Sequence, residues 1–158
     1  MNEAVRPLAL TYLQTHRVMT LATYGNEGVW AAAVFYVNEG FTLYFLSAGH
    51  TRHARNILAQ PHVAAAIQED YADWPVIQGI QLEGDVQILE GEERDTAVTL
   101  YRRKYPFLNQ INPQIEAALT QVNWYQLTPT RLYFIDNSKG LGHRDEVNLL
   151  RSSTSARS

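Results

Sequence analysis

The sequence contains no cysteine in 158 residues, which removes disulfides, thiolate metal centres and cysteine nucleophiles together. It also lacks any run near the ~20 apolar residues needed to cross a bilayer as a helix. Its first residues, MNEAVRPLAL, have neither the basic flank nor the small-residue cleavage site of a secretory signal. A cytoplasmic chain without a membrane span is the simplest expectation. An excess of positive charge is missing too: 13 Lys and Arg face 16 Asp and Glu, a formal net charge of −3, which argues against a surface devoted to nucleic acid. The one basic cluster, Arg102, Arg103 and Lys104, reads as a solvated helix face. No Ser/His/Asp or Cys/His nucleophile pattern stands out, and the acidic pairs Glu69-Asp70 and Glu92-Glu93 read as solvation and helix capping.

What is present is apolar and aromatic. Hydrophobic residues make up 46% and charged ones 18%, with nine Tyr, five Phe and three Trp, enough for one domain that buries roughly 70% of its unfolded surface. That domain is expected over residues 1–150, followed by a disordered polar tail, RSSTSARS, at 151–158.

Val5, Leu8, Ala9, Tyr12 and Leu13 recur at helical spacing and predict a short amphipathic helix over one end of a sheet. Three strand-like runs follow, VMTLATYG from Val18, VWAAAVFYVN from Val29 and FTLYFLS from Phe41. The segments Gly25-Asn26-Glu27-Gly28 and Asn38-Glu39-Gly40 separate them with the residues hairpin corners favour. A helix starting at Thr51 stops before Pro61, and HVAAAIQE begins a fourth strand. The longest strand pattern, VIQGIQLEGDVQILEG, alternates Ile80, Leu82, Val86 and Ile88, with Gly84 placed to bend it. A helix from about Glu92 and another capped by Asn112 with Pro113 form an excursion before WYQLTPTRLYFID returns to strand pattern. Lys139-Gly140-Leu141-Gly142 lacks the helix that follows a nucleotide loop and reads as a mobile flap. The order predicts a mainly β fold with α (α+β): a six-stranded antiparallel split barrel with peripheral helices.

The segment SAGHTRHARNI, residues 47–57, carries the chemistry. A helix start leaves backbone N–H groups unpaired and holds the positive end of the helix dipole, so an anion can settle there. Thr51, Arg52 and His53 stand where they can complete its shell, and the planar fork of an arginine suits a phosphate.

The wider run FLSAGHTRHARNILAQPHVAAA resembles the third strand, phosphate helix and fourth strand of the pyridoxamine 5'-phosphate oxidase-like, FMN-binding split-barrel family, over about residues 10–138. The resemblance is to small bacterial members with a late Asp136, Asn137, Gly140, Gly142 segment rather than to the oxidase. It implies that Arg52 and His53, the latter where the family usually has lysine, bind the FMN phosphate. It further implies that Leu46 and Ser47 touch the ribityl chain or ring, and that Ala31, Ala32, Ala33, Val34 and Tyr36 line the flavin. The family pattern is a homodimer with the flavin at the interface, Gln78 and Gln81 reaching the partner's cofactor. Three departures separate the chain from the oxidase: Ala31 and Tyr36 replace an arginine and a lysine, Gly79 replaces a glutamine, and RLYFIDNSKGLGHR replaces a C-terminal Trp and Arg substrate motif.

The expected activity is FMN-dependent electron transfer from a reduced donor to a small molecule. Its alternatives are an F420-dependent reductase, a non-enzymatic flavin or haem carrier or sensor, and a barrel that binds partners without a ligand. His50, His53 and His62 raise a metal site, which the lack of cysteine and of carboxylates at ligand spacing argues against. Trp30 and Trp74 suit a flavin face, a core or an interface equally.

Overall fold

The computed structural model describes residues 3–110 and 112–150, so the tail at 151–158 lies outside the described residues. The helix α1 (Val5–Thr15) precedes strands β1 (Val18–Gly25), β2 (Gly28–Glu39) and β3 (Thr42–Ser47). Helix α2 (Arg52–Ala59), β4 (His62–Gln68) and β5 (Gln78–Ile88) follow, then α3 (Gly91–Lys104), α4 (Pro113–Thr120), β6 (Asn123–Asp136) and β7 (Arg144–Glu146).

Strand β1 alternates exposed and buried residues without a break, as a strand with one face on a core must. It turns into β2 through Asn26 and Glu27, Gly25 pairing with Gly28, whose φ of 97° a side chain would strain. The sheet order is β3-β2-β1-β4-β5-β6-β7, and β3 also pairs with β6. The first six strands therefore close into an antiparallel barrel, and β7 is added to it. The register of β5 on β6 shifts between Glu83 and Gly84, where a Cβ on Gly84 would stand 2.3 Å from the Thr128 carbonyl oxygen. The bend expected at Gly84 is thus a bulge that only glycine fits.

Inside the barrel, Met19, Leu21, Tyr36, Leu43, Phe45, Ile67, Ile80, Tyr125 and Leu132 form the main core, with the Phe45 and Tyr125 rings stacked at 5.0 Å. Val5, Ala9, Tyr12 and Leu13 of α1 join that core. A second core lies between the excursion and the barrel: Ala97, Tyr101, Tyr105 and Leu108 pack with Val37, Leu89 and Trp124. The basic cluster here is partly structural: Arg102 donates to the Leu108 carbonyl at 2.9 Å, and the Lys104 ammonium sits 4.2 Å from the centre of the Tyr36 ring.

Segment 137–146 differs from the flap its glycines suggest. Asp136 accepts bonds from the backbone N–H and hydroxyl of Ser138, Asn137 accepts from the Gly142 N–H, and β7 then pairs with residues 133–135. Side-chain caps two to five residues away hold it as a hairpin, a use of Asp and Asn that glycine content conceals.

Candidate functional site

The start of α2 is capped by Thr51 and held against the β1–β2 hairpin by three side chains, those of Arg52, Arg55 and Asn56. Thr51 takes extended backbone angles as N-cap, accepts from the Ala54 N–H at 3.3 Å and donates to the Ala48 carbonyl at 2.9 Å. Arg52 reaches back across the hairpin, donating from Nη2 to the Glu27 carbonyl at 2.7 Å and the Val29 carbonyl at 3.3 Å, with its guanidinium 4.4 Å from the centre of a Trp30 ring. Arg55 pairs with the Glu27 carboxylate at 2.7 Å, which holds that carboxyl below its ordinary range. Asn56 donates to the Thr23 hydroxyl at 3.1 Å, and Gly25 makes room for it, since a Cβ there would lie 2.3 Å from Asn56 Oδ1.

His53 points the other way. It is buried, with Nε2 2.6 Å from the Ser47 hydroxyl and 3.3 Å from the Thr51 hydroxyl, and burial lowers its pKa below 6.5. Ser47 and Thr51 are themselves 3.2 Å apart, so three of the sequence-predicted residues form one hydrogen-bonded cluster at the helix start. The fourth, Arg52, keeps a buried Nε without a hydrogen-bond partner. A buried guanidinium N–H left unpaired costs free energy unless an acceptor reaches it.

Beside Arg52 and Trp30 opens a cavity of about 670 Å³ lined by Ala22, Tyr24, Val29, Ala31, Ala64, His62 and Glu83 among others. It lies on the outer side of the barrel, where the register sets Ala22 opposite both Ala31 and Ala64, and Thr20 opposite both Ala33 and Ala66. Small side chains on three neighbouring strands make a flat surface, flanked by aromatic and aliphatic groups that stay open: Tyr24, Phe35 and Val29, the last 76% exposed. At its edge His62 is bonded to Asp85 at 2.9 Å and to Glu83 at 3.0 Å, and these carboxylates raise its pKa.

The remaining sequence-predicted residues are dispersed. Ala31 and Ala33 belong to the outer surface, whereas Ala32 and Val34 alternate to the other pleat and are half-buried. Tyr36 is fully buried, its hydroxyl donating to the Leu13 carbonyl at 2.8 Å. Leu46 packs against the second core. Gln78 uses its carbonyl to accept from Tyr12, and Gln81 is exposed opposite Ala66, on strand β5 and away from α2 within one chain. Glu27, Arg55, Thr23 and Asn56, which fix the helix to the hairpin, were not legible as a set. Their sequence separation hides a contact that only the antiparallel turn creates. Among the described residues no group of three or more His, Cys, Asp or Glu is arranged to hold a metal ion, and no helix is long and apolar enough to cross a membrane.

A family model described as pyridoxamine 5'-phosphate oxidase matches residues 5–136. The chain belongs to that family. A UPF0306 protein of Photorhabdus laumondii is 31% identical over 135 residues, 84% of this chain and 88% of that one. Among solved structures, HutZ, the heme storage protein from Vibrio cholerae, superposes with a TM-score of 0.67 at 17% identity, over 81% of this chain and 92% of that one. A heme binding protein from Mycobacterium smegmatis gives 0.70 at 21% identity, over 94% of this chain and 59% of that one. The two structural likenesses establish a shared split-barrel fold.

Proposed function

We propose that this family member binds FMN and works as an oxidoreductase, passing electrons from a reduced donor to a small acceptor at the interface of a homodimer in the cytoplasm. The observation that carries the reading is the buried, unpartnered Nε of Arg52 at the capped start of α2, beside an apolar cavity with an alanine surface. A phosphate accepted by Arg52 and the helix start would anchor a flavin whose flat ring meets Ala22, Ala31 and Ala64 at close range. The bare outer face would then be closed by a second copy of the chain, bringing Gln78 and Gln81 of one protomer toward the other's cofactor. Bound FMN would supply the redox chemistry. The protein's part is to position it and exclude water. The substrate differs from that of the oxidase, because the residues of that enzyme's substrate motif are absent. A deazaflavin such as F420 also carries a phosphate and is the nearest alternative.

The haem proteins among the structural neighbours give a second reading, a haem carrier or sensor. In this chain, however, His62 has both ring nitrogens engaged by carboxylates, and His53 gives Nε2 to Ser47. His62 therefore offers no unengaged ring nitrogen, and His53 is buried, so neither would ligate haem without rearrangement.

The test is cofactor identification followed by titration. Flavin bands and an FMN mass released on denaturation are expected from purified protein, where a Soret band would move the assignment to haem. Arg52→Ala is expected to weaken FMN binding by about 1–3 kcal/mol through lost charge-assisted bonds. Unchanged affinity in that variant would remove the phosphate assignment.

A further inference from the structure

A second cavity, about 570 Å³, lies at the other end of the same outer face, lined by Thr15, His16, Arg17, Val18, Phe35, Gln68 and Glu69. Its polar groups are organised. His16 Nδ1 lies 2.7 Å from the Tyr12 carbonyl and Nε2 lies 2.9 Å from a Glu69 carboxylate oxygen, so both ring nitrogens face acceptors. Glu69, which sequence suggested was merely solvated, is thereby tied to α1, and His16 holds its carboxyl below the ordinary range.

Arg17 is the cation this arrangement leaves over. Four carbonyls around the end of α1, which would be natural partners for it, are already taken. Thr15 donates to the Thr11 carbonyl at 2.8 Å, His16 to that of Tyr12, Tyr36 to that of Leu13 at 2.8 Å, and Lys104 to that of His16. Among the described residues Arg17 makes no ion pair and its side chain is exposed. Its charge is felt nearby all the same: burial first, and then Arg17, lower the Lys104 pKa to about 8. The Arg17 guanidinium thus borders a cavity whose apolar side is Val18 and the half-exposed ring of Phe35, held edge-on to Tyr105 at 5.6 Å.

We propose that this cavity binds a small aromatic carboxylate, its carboxylate on the Arg17 guanidinium and its ring against Phe35 and Val18. A single guanidinium matches one carboxylate as a two-pronged donor, and a flat ring gains from an aromatic wall. The Glu69 carboxylate beside it disfavours a dianion such as phosphate, which separates this site from the one at Arg52. Val18 and Ala22 stand four residues apart on β1, ~13 Å along the strand and on the same pleat. The ligand would therefore lie next to the proposed flavin groove, and a second copy covering the alanine surface would roof both. As the place of a second substrate the site rests on the flavin reading; as a binding site it stands without it.

Benzoate is the probe, with uncharged benzamide as its control, titrated into purified protein and followed by backbone amide NMR shifts. Benzoate is expected to shift residues 15–18, 35 and 68–69, and Arg17→Ala to weaken it by roughly tenfold or more, with Phe35→Ala also weaker. FMN affinity in Arg17→Ala should equal that of the wild type, and benzoate binding should survive in Arg52→Ala. An absence of localised shifts, equal binding of benzamide, or full benzoate affinity in Arg17→Ala would each overturn the proposal. Loss of FMN binding with benzoate binding intact would instead overturn the flavin reading and leave this site standing.

Discussion

Trp124-Tyr125 on β6 and Phe35-Tyr36 on β2 are the same kind of sequence, two adjacent aromatics in a strand, yet they meet different surroundings. At the first pair both residues are buried, Tyr125 in the barrel and Trp124 beneath α3, where its ring meets that of Tyr101 edge-on at 5.2 Å. At the second pair Tyr36 is fully buried while Phe35 is 50% exposed. One outer face of the barrel has been given its own core by the excursion through α3 and α4. The other, built from Ala22, Ala31, Ala33, Ala64 and Ala66 with Tyr24, Val29 and Phe35 around them, has not. An apolar surface spanning three strands is the pattern of a binding surface rather than of a finished exterior.

Truncation should separate the two faces most sharply. Trp124→Ala is expected to cost about 3–5 kcal/mol in urea unfolding, as large cavities beneath packed helices do. Phe35→Ala should cost about 1 kcal/mol, chiefly its edge contact with Tyr105. Equal losses would mean that the second core is not a distinct source of stability. The next effect concerns assembly: Ala31→Arg places a charge at the centre of the bare face and should raise the dissociation constant of the proposed dimer at least tenfold, about 1.4 kcal/mol, with the fold retained. Sedimentation equilibrium measures this, and a dimer that persists unchanged locates the contact elsewhere.

A smaller effect is expected from pH at the site. Burial holds the folded-state pKa of His53 below its ordinary 6.5, so the folded protein binds fewer protons there than the unfolded chain. Its contribution to stability is complete above pH 6.5 and is lost as the pH falls through the lower folded-state value. His53→Gln, which keeps a donor for Ser47 but does not titrate, should flatten thermal midpoints across that window, whereas a profile as steep as the wild type would assign the acid response to other groups. The least effect is expected at the Arg55–Glu27 pair, whose side chains are 50% and 53% exposed. Arg55→Ala should leave the unfolding midpoint unchanged in moderate salt, because solvent screens such pairs. A clear drop would show that the hairpin needs this link to hold α2.

Much of this architecture was legible because its signals are local. The alternation in VMTLATYG, the Gly28 corner, the Thr51 and Asn112 caps and the Gly84 bend each depend on residues a few positions apart, and each appears where the pattern places it. The short strand β7 was not legible, since three residues carry no periodicity, and the caps in Asp136 and Asn137 turned an expected flap into a hairpin. At the site, sequence identified Ser47, Thr51, Arg52 and His53 as neighbours but not their directions: Arg52 goes to Trp30 and His53 to Ser47.

The sequence by itself determined the family, the run of strands and helices and the position of the capped helix start at Thr51, because periodicity, turn chemistry and capping act over one or two turns of chain. Tertiary structure alone decided that β3 closes on β6, that the excursion covers one face and leaves the alanine face bare, and that Arg17 makes no ion pair among the described residues. Those outcomes depend on which distant surfaces meet, and a strand's pattern says only that one pleat is apolar, not what will lie against it.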